Sequence, residues 1–325
     1  VRVIVTGGAG FIGSHLTEKL IKLGADITVV DNFSTGRKDN LRDFIKNINL
    51  IEADISEEGE WQKCFQDADW VIHLAALADI VPSIENPRKY FESNVTGTLN
   101  VLEAAKKSNI KRLIYSASSS CYGIPENYPT NENSQIDTRY PYALTKYLGE
   151  ELILHWEKVF KIPSISLRFF NVYGTKSRTS GTYGAVFGVF LAQKLKKKPF
   201  TVVGDGTQTR DFTYVSDVVE AIVAAAKSNI SGEIINIGSD NTYSVNQLVD
   251  LLGGEVIYIP KRPGEPDCTW ADITKAKKML DWTPKISLSD GVKFLLEDID
   301  YWREAPVWDE ESINSATKKW FEYLG

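Results

Sequence analysis

The chain has 325 residues, 43% of them hydrophobic and 25% charged, which is long enough and apolar enough for one large or two small domains with a substantial core. A formal net charge of −6 argues against nucleic acid or an anionic membrane as the main partner. No run of 18 or more apolar residues offers a membrane span, and no signal peptide is visible.

The chain opens VRVIVTGGAGFIGSHL. Val3, Ile4 and Val5 form a short β-branched run, which predicts a buried strand. Gly7, Gly10 and Gly13 follow, and Leu16, Leu20 and Leu23 then recur at a helical period. The glycines therefore sit on a strand-to-helix turn. Gly7 permits the sharp turn, Gly10 lets backbone approach a pyrophosphate, and Gly13 lets helix pack on strand. The helix start offers N–H groups and partial positive charge to phosphates. A second strand, Asp26 to Val30, runs into Asp31, which lies 18 residues after Gly13, where a carboxylate meets an adenosine ribose. That placement favours NAD over NADP, although Arg37 is near enough to hold a 2′-phosphate. Asp54, after the strand from Asn49, reads equally as an adenine contact or a helix N-cap. His73 in WVIHLAA reads as a satisfied core histidine.

A later apolar strand ends in the serine run Ser118 to Ser120, and the segment YPYALTKYLGEEL then reads as helix. Tyr142 and Lys146 are four apart in it and share one face. A phenol beside a fixed ammonium is a candidate acid/base, and the cation is expected to pull the tyrosine pKa down from about 10. Such a pair is usually a solvated bystander. The glycine turn and serine run preceding it in chain order make it a candidate catalytic pair.

Strands are predicted at 2–6, 26–31, 49–54, 70–75, 112–117 and 164–170, with helices between. This alternation predicts an α/β fold: a Rossmann-type, doubly wound parallel sheet with ligands beyond the carboxyl ends of its strands. Gly7, Asp31, Ala75, Ser118 and Asn171 all fall at such ends. After Gly174 the pattern loosens into FTVVGDG, VSDVVEAIVAAAK, EIINIG and VIYIP. The expected division is an NAD-binding domain over 1–175, with 214–240 returning to it, and a smaller C-terminal α/β substrate domain over 176–213 and 241–325. Near the C-terminus Ile313, Ala316, Trp320, Phe321 and Leu324 share a helical face, expected to be buried against the body, with an oligomer contact as the alternative. Cys64, Cys121 and Cys268 are scattered and predict reduced thiols in a cytoplasmic setting. His15, His73 and His155 carry no metal-ligand spacing, so no metal is expected.

Taken together, TGGAGFIGSH, Asp31-Asn32, HLAA, SASSSCYG, YALTK, RFFNVYG, GDGTQTRDFTYV and RPGEPDCTWAD resemble the NAD-dependent sugar epimerase/dehydratase group of extended short-chain dehydrogenases/reductases. The match is best to UDP-hexose 4-epimerases. It runs from Val1 to about Leu296; the last 25 residues have no evident counterpart. The resemblance implies a bound NAD, a UDP-sugar substrate and a homodimer built on two helices per subunit. It implies that Tyr142 is the catalytic base, that Lys146 holds the nicotinamide ribose and that Ser118 is the catalytic hydroxyl. To the cofactor contacts it adds Phe11, Ile12, Asn32, Ile55 and Leu74, and further Ala76, Asn94, Ser116 and Phe169. To the substrate contacts it adds Ser119, Asn171, Val202 and Arg178, with Arg210 and Arg262 on the diphosphate, and Glu265 and Thr269 nearby. Thr269 replaces a bulky aromatic of glucose-restricted members, which implies room for an N-acetylated hexosamine. Arg178 is similar to a carboxylate-binding arginine of UDP-glucuronate epimerases.

The residues after Ser118 bear on reaction type. Dehydratases of the group would have Asp-Glu there, and decarboxylases a Glu soon after; this chain has Ser119-Ser120. Elimination needs an extra acid and base that these serines do not supply. A cysteine one position earlier would suggest cysteine-dependent relatives, but Cys121 is expected to face away and be structural. The expected activity is 4-epimerisation of UDP-GlcNAc/UDP-GalNAc or UDP-Glc/UDP-Gal through a 4-keto sugar. The alternatives are a UDP-glucuronate 4-epimerase or decarboxylase, another nucleotide-sugar oxidoreductase, or a non-catalytic NAD-binding regulator.

Overall fold

In the computed structural model, which describes residues 1–177 and 185–324, the first apolar run forms β1 (Arg2–Thr6). Val3 and Val5 pack in one core cluster and Ile4 in another, so both faces of the strand are covered. The glycine turn follows and leads into α1 (Phe11–Lys22). The next strands are β2 (Asp26–Asp31), β3 (Asn49–Glu52), β4 (Trp70–His73), β5 (Arg112–Ser118) and β6 (Ser164–Phe169). The strand Glu233–Ile237 joins them in one seven-stranded parallel sheet, beside β6. The order from that strand is β6, β5, β4, β1, β2, β3. The chain reverses its direction of winding between β1 and β4, and there the crevice beyond the strand ends opens. The fold is a Rossmann-type, doubly wound parallel sheet.

All six predicted strands form. Two of them, β3 and β4, stop two residues early, where the chain turns away into the rim loops. EIINIG belongs to the main sheet. FTVVGDG and VIYIP instead form a separate parallel pair, Phe200–Val203 with Val256–Ile259. A second core lies beneath this pair, around Phe190, Phe200, Leu248, Leu295 and Trp302.

Pro87–Phe91 and Gly97–Lys106 are joined by a wide turn at Glu92–Thr96 with π-type bonding. Such bulges turn side chains off the helical register, often near functional sites. The C-terminal helix Glu310–Leu324 packs on the short helix Ile80–Glu85. Ile313, Thr317 and Trp320 form its buried face, whereas Phe321 is 40% exposed. The expected apolar stripe is thus narrower and rotated, because Thr317 returns its hydroxyl to Ile313 O and can be buried. Among the described residues no helix is long and apolar enough to cross a membrane.

Candidate active site

A cleft of about 710 Å³ lies beyond the carboxyl ends of the strands, a size typical of cofactor and substrate sites. Gly7, Gly10, Asp31, Ala75, Ser118, Tyr142, Lys146 and Asn171 all line it.

At its floor is the glycine turn. Gly7 has φ +73°, and a Cβ there would lie 2.6 Å from Ala75 N. The ends of β1 and β4 are therefore in backbone contact, and only glycine fits. A Cβ on Gly13 would lie 2.1 Å from Gly7 O, which fixes α1 against the turn. Asp31 accepts from Ala9 N at 2.9 Å and Phe33 N at 2.8 Å. Burial raises its pKa, and these two bonds oppose the shift. Asp54 accepts from Asn32 Nδ2 at 2.9 Å and from Ser56 N at 2.9 Å. The N-cap reading of Asp54 fails, because the next helical turn, Glu60–Phe65, begins after Gly59. Arg37 lines the same end of the cleft, its guanidinium 5.3 Å from the centre of the Tyr301 ring.

Ser118 ends β5 and caps the short 3₁₀ turn Ser119–Tyr122. Its Oγ accepts from Ser120 Oγ at 2.8 Å and from Ser120 N at 3.2 Å. Tyr142 and Lys146 lie one turn apart on the helix Pro141–Phe160, and both line the cleft together with Ser118. Lys146 is buried, its Nζ 4.4 Å from the centre of the Tyr115 ring. Desolvation lowers its pKa to about 7, against the pull of the Glu150 carboxylate. The Tyr142 pKa is raised, by burial first; the Ser118 hydrogen bond works the other way, and Asp79 and Cys121 push it up further. The expectation that Lys146 lowers the tyrosine pKa is therefore not met by the protein alone. Burial penalises both charged forms, and Lys146 is itself drawn toward neutrality.

On the opposite wall, Thr269 Oγ1 donates to Asn171 Oδ1 at 2.7 Å and accepts from Asp211 N at 3.1 Å. Glu265 sits between two arginines, 3.0 Å from Arg210 Nη2 and 3.9 Å from Arg262 Nη1. The arrangement offers two guanidinium forks, a shape suited to phosphate oxygens.

A family model for the NAD-dependent epimerase/dehydratase family matches residues 3–238. The chain belongs to that family. It is 40% identical over 299 residues to a protein named "Putative UDP-glucose 4-epimerase" from Methanocaldococcus jannaschii, covering 90% of this chain and 96% of the relative. It is 34% identical to a UDP-N-acetyl-alpha-D-glucosaminuronate decarboxylase from Bacillus cytotoxicus, covering 93% of this chain and 98% of that protein. Its structure matches the UDP-glucuronic acid 4-epimerase from Bacillus cereus in complex with UDP-glucuronic acid and NAD, with a TM-score of 0.85 and 35% identity over 94% of this chain and 99% of that one.

NAD is the family's cofactor, and the residues of this cleft fit it. The glycine turn leaves no room for any side chain at Gly7 or Gly13, and Asp31 keeps acceptor capacity beyond its two backbone bonds. Phe11, Ile12, Asn32, Ile55, Leu74, Ala76, Ser116 and Phe169 also line the cleft, as do Ser119, Arg210, Arg262, Glu265 and Thr269.

Two expected contacts are corrected. Asn94 is 1% exposed and does not line the cleft. Its amide grips Leu77 through Oδ1 at 2.8 Å and Nδ2 at 3.0 Å, and reaches Thr145 at 3.0 Å. It holds the loop after β4 in place, and Ser93 faces the cleft instead. Val202 is fully buried; alternation along its strand turns Thr201 and Val203 toward the cleft. Arg178 lies outside the described residues.

His73 is buried between Thr6 and Thr98, with Nδ1 2.7 Å and Nε2 2.9 Å from their hydroxyls. Cys121 is buried in the core, where burial pushes its thiol up to about 12. Residue patterns alone missed Tyr140. Its ring stacks on Tyr142 with centroids 6.4 Å apart, and it lines the cleft with Ser120. A tyrosine before Pro141 carries no periodic signal by which to find it.

Proposed function

We propose that the protein is an NAD-dependent 4-epimerase of a UDP-sugar. The observation that carries this reading is the convergence of Tyr142, Ser118 and Lys146 on one cleft, at a rim where serines, not carboxyls, follow Ser118. Tyr142 takes the proton from the sugar O4 as general base, and Ser118 holds the same oxygen by hydrogen bond. Lys146 holds the nicotinamide ribose and, when protonated, adds positive charge beside the phenol. A bound NAD would supply the reversible hydride acceptor for C4, so the net reaction would need no external oxidant. Arg210 and Arg262 anchor the diphosphate while the 4-keto sugar turns over.

A decarboxylase or UDP-glucuronate epimerase is the second reading, favoured by the similarity to the Bacillus cytotoxicus and Bacillus cereus proteins. Against decarboxylation stand Ser119 and Ser120, where the resembled decarboxylases would place a glutamate soon after. For the sugar, Thr269 favours N-acetylated hexosamines. The deciding experiment incubates the NAD-loaded protein with UDP-GlcNAc, UDP-glucose and UDP-glucuronate and identifies the products. Conversion to the C4 epimer without CO2 release is expected. Release of CO2, or NADH accumulating in step with product, rejects the epimerase reading.

The same proposal includes a homodimer and a reducing, cytoplasmic setting, in keeping with three free cysteines. The helix Pro141–Phe160 carries exposed Leu144 and Val159 and half-buried Leu148 and Leu152 on one side, a face suited to a second copy of the chain.

A further inference from the structure

The C-terminal helix Glu310–Leu324 lies beyond the stretch that carries the resemblance, yet it reaches the cleft. Trp320 is 4% exposed and lines the cleft beside Tyr140 and Arg262. Its indole Nε1 donates to Pro263 O at 2.7 Å. The Arg262 guanidinium carbon lies 5.5 Å from the centre of its ring. Its ring centroid is 6.5 Å from that of Tyr140, which in turn stacks on Tyr142. One turn further on, Leu324 meets the same loop: a Cβ on Gly264 would lie 3.7 Å from Leu324 Cβ. Gly264 has φ +69°, so the loop makes a left-handed turn between Arg262 and Glu265. Two anchor points therefore join this helix to the short segment that presents Arg262.

We infer that Trp320 is a positioning residue for substrate: it fixes the Arg262–Glu265 loop so that Arg262 faces the nucleotide diphosphate, and its ring walls the cleft next to Tyr140. The inference rests on the proposed role of Arg262 in UDP-sugar binding. A loop held only by its own backbone samples many orientations of a long guanidinium side chain. An indole N–H bond and a cation–π contact select one of them. The ring makes no proton transfer. Its loss is therefore expected in substrate affinity and not in the chemical step.

The test is calorimetric binding of UDP to the NAD-loaded, full-length protein, with steady-state kinetics on the sugar that proves active. W320A is expected to weaken UDP about tenfold and raise KM similarly, with kcat within about twofold of wild type. Its bound NAD, read by absorbance after denaturation, should match wild type. W320F keeps the ring and removes the donor, and should lose about three- to fivefold. R262A combined with W320A should bind no worse than R262A alone, because both changes act on one contact. UDP affinity within twofold of wild type in W320A, or additive losses in the double variant, overturns the inference. If W320A loses its thermal transition or its NAD, W320F decides in the same way. If wild type binds no UDP, the substrate assignment itself fails, and Arg262 loses the role on which Trp320 acts.

Discussion

Ser118 Oγ receives both the amide and the hydroxyl of Ser120, which leaves its own proton free for a ligand in the cleft it lines with Tyr142. In the proposed mechanism Tyr142 is the phenol that takes the O4 proton. Tyr142→Phe should therefore lower kcat by about 10²–10⁴ while NAD content and Tm stay near wild type. Retention of more than half the turnover would remove Tyr142 from the mechanism. At the sugar end, Thr269→Tyr should fill the space beside Asn171 and depress activity on UDP-GlcNAc by about 10–200-fold while sparing UDP-glucose. Equal losses on both sugars would show damage to the wall and no discrimination. The chemical pair was legible because Tyr142 and Lys146 obey a helical spacing. The opposite wall was legible only through resemblance, since Arg210 meets Arg262 and Thr269 from a segment far away in sequence. Val202 and Asn94 were carried over from the resemblance alone, and in this chain both side chains are buried, Asn94 by its bonds to Leu77 and Thr145.

Two glycines show how elements are held at the distances the site needs. A Cβ on Gly13 would strike the Gly7 carbonyl at 2.1 Å, so Gly13→Ala must push α1 off the turn. The expected outcome is protein that folds but is purified with little or no NAD, measured by absorbance of the released cofactor. Full occupancy would mean that the turn tolerates the shift. Gly149 lies on the helix Pro141–Phe160, where a Cβ would lie 2.2 Å from Tyr115 Oη. That hydroxyl donates to Lys146 O at 3.1 Å. Gly149→Ala should thus separate the helix from β5, costing about 1–3 kcal/mol by overpacking. Chemical denaturation measures it directly, and an unchanged midpoint would contradict the tight contact. The main strands were readable because apolar β-branched runs end at glycine or polar residues. Pairings such as Thr209–Arg210 with Tyr243–Ser244 were not, because two-residue strands have no period to detect.

For the molecule as a whole, buried titrating groups tie stability to pH. His73 is held to a pKa of about 3, against 6.5 when exposed, by burial first and then by the Lys146 charge. Between those values the unfolded chain binds more protons, so stability falls as pH drops from 6.5 toward 3. Lys146, at about 7 against 10.5, adds stability as pH rises through that upper window. Asp211 opposes His73: its pKa is raised to about 6 from 3.8 by burial, which favours the fold at the acid end. His73→Gln should lower Tm at neutral pH yet flatten its decline below pH 6.5; an identical slope would mean that His73 does not titrate on unfolding. The exposed apolar face of the Pro141–Phe160 helix should pair two copies, and light scattering at micromolar concentration that finds a monomer would refute this. The sheet order carries one more consequence, for synthesis on the ribosome. The strand beside β6 is Glu233–Ile237, so β6 emerges long before its neighbour and waits with its hydrogen-bonding edge bare. A nascent chain arrested between Phe169 and Glu233 should be stickier and more chaperone-dependent than one arrested after Ile237 has left the ribosome.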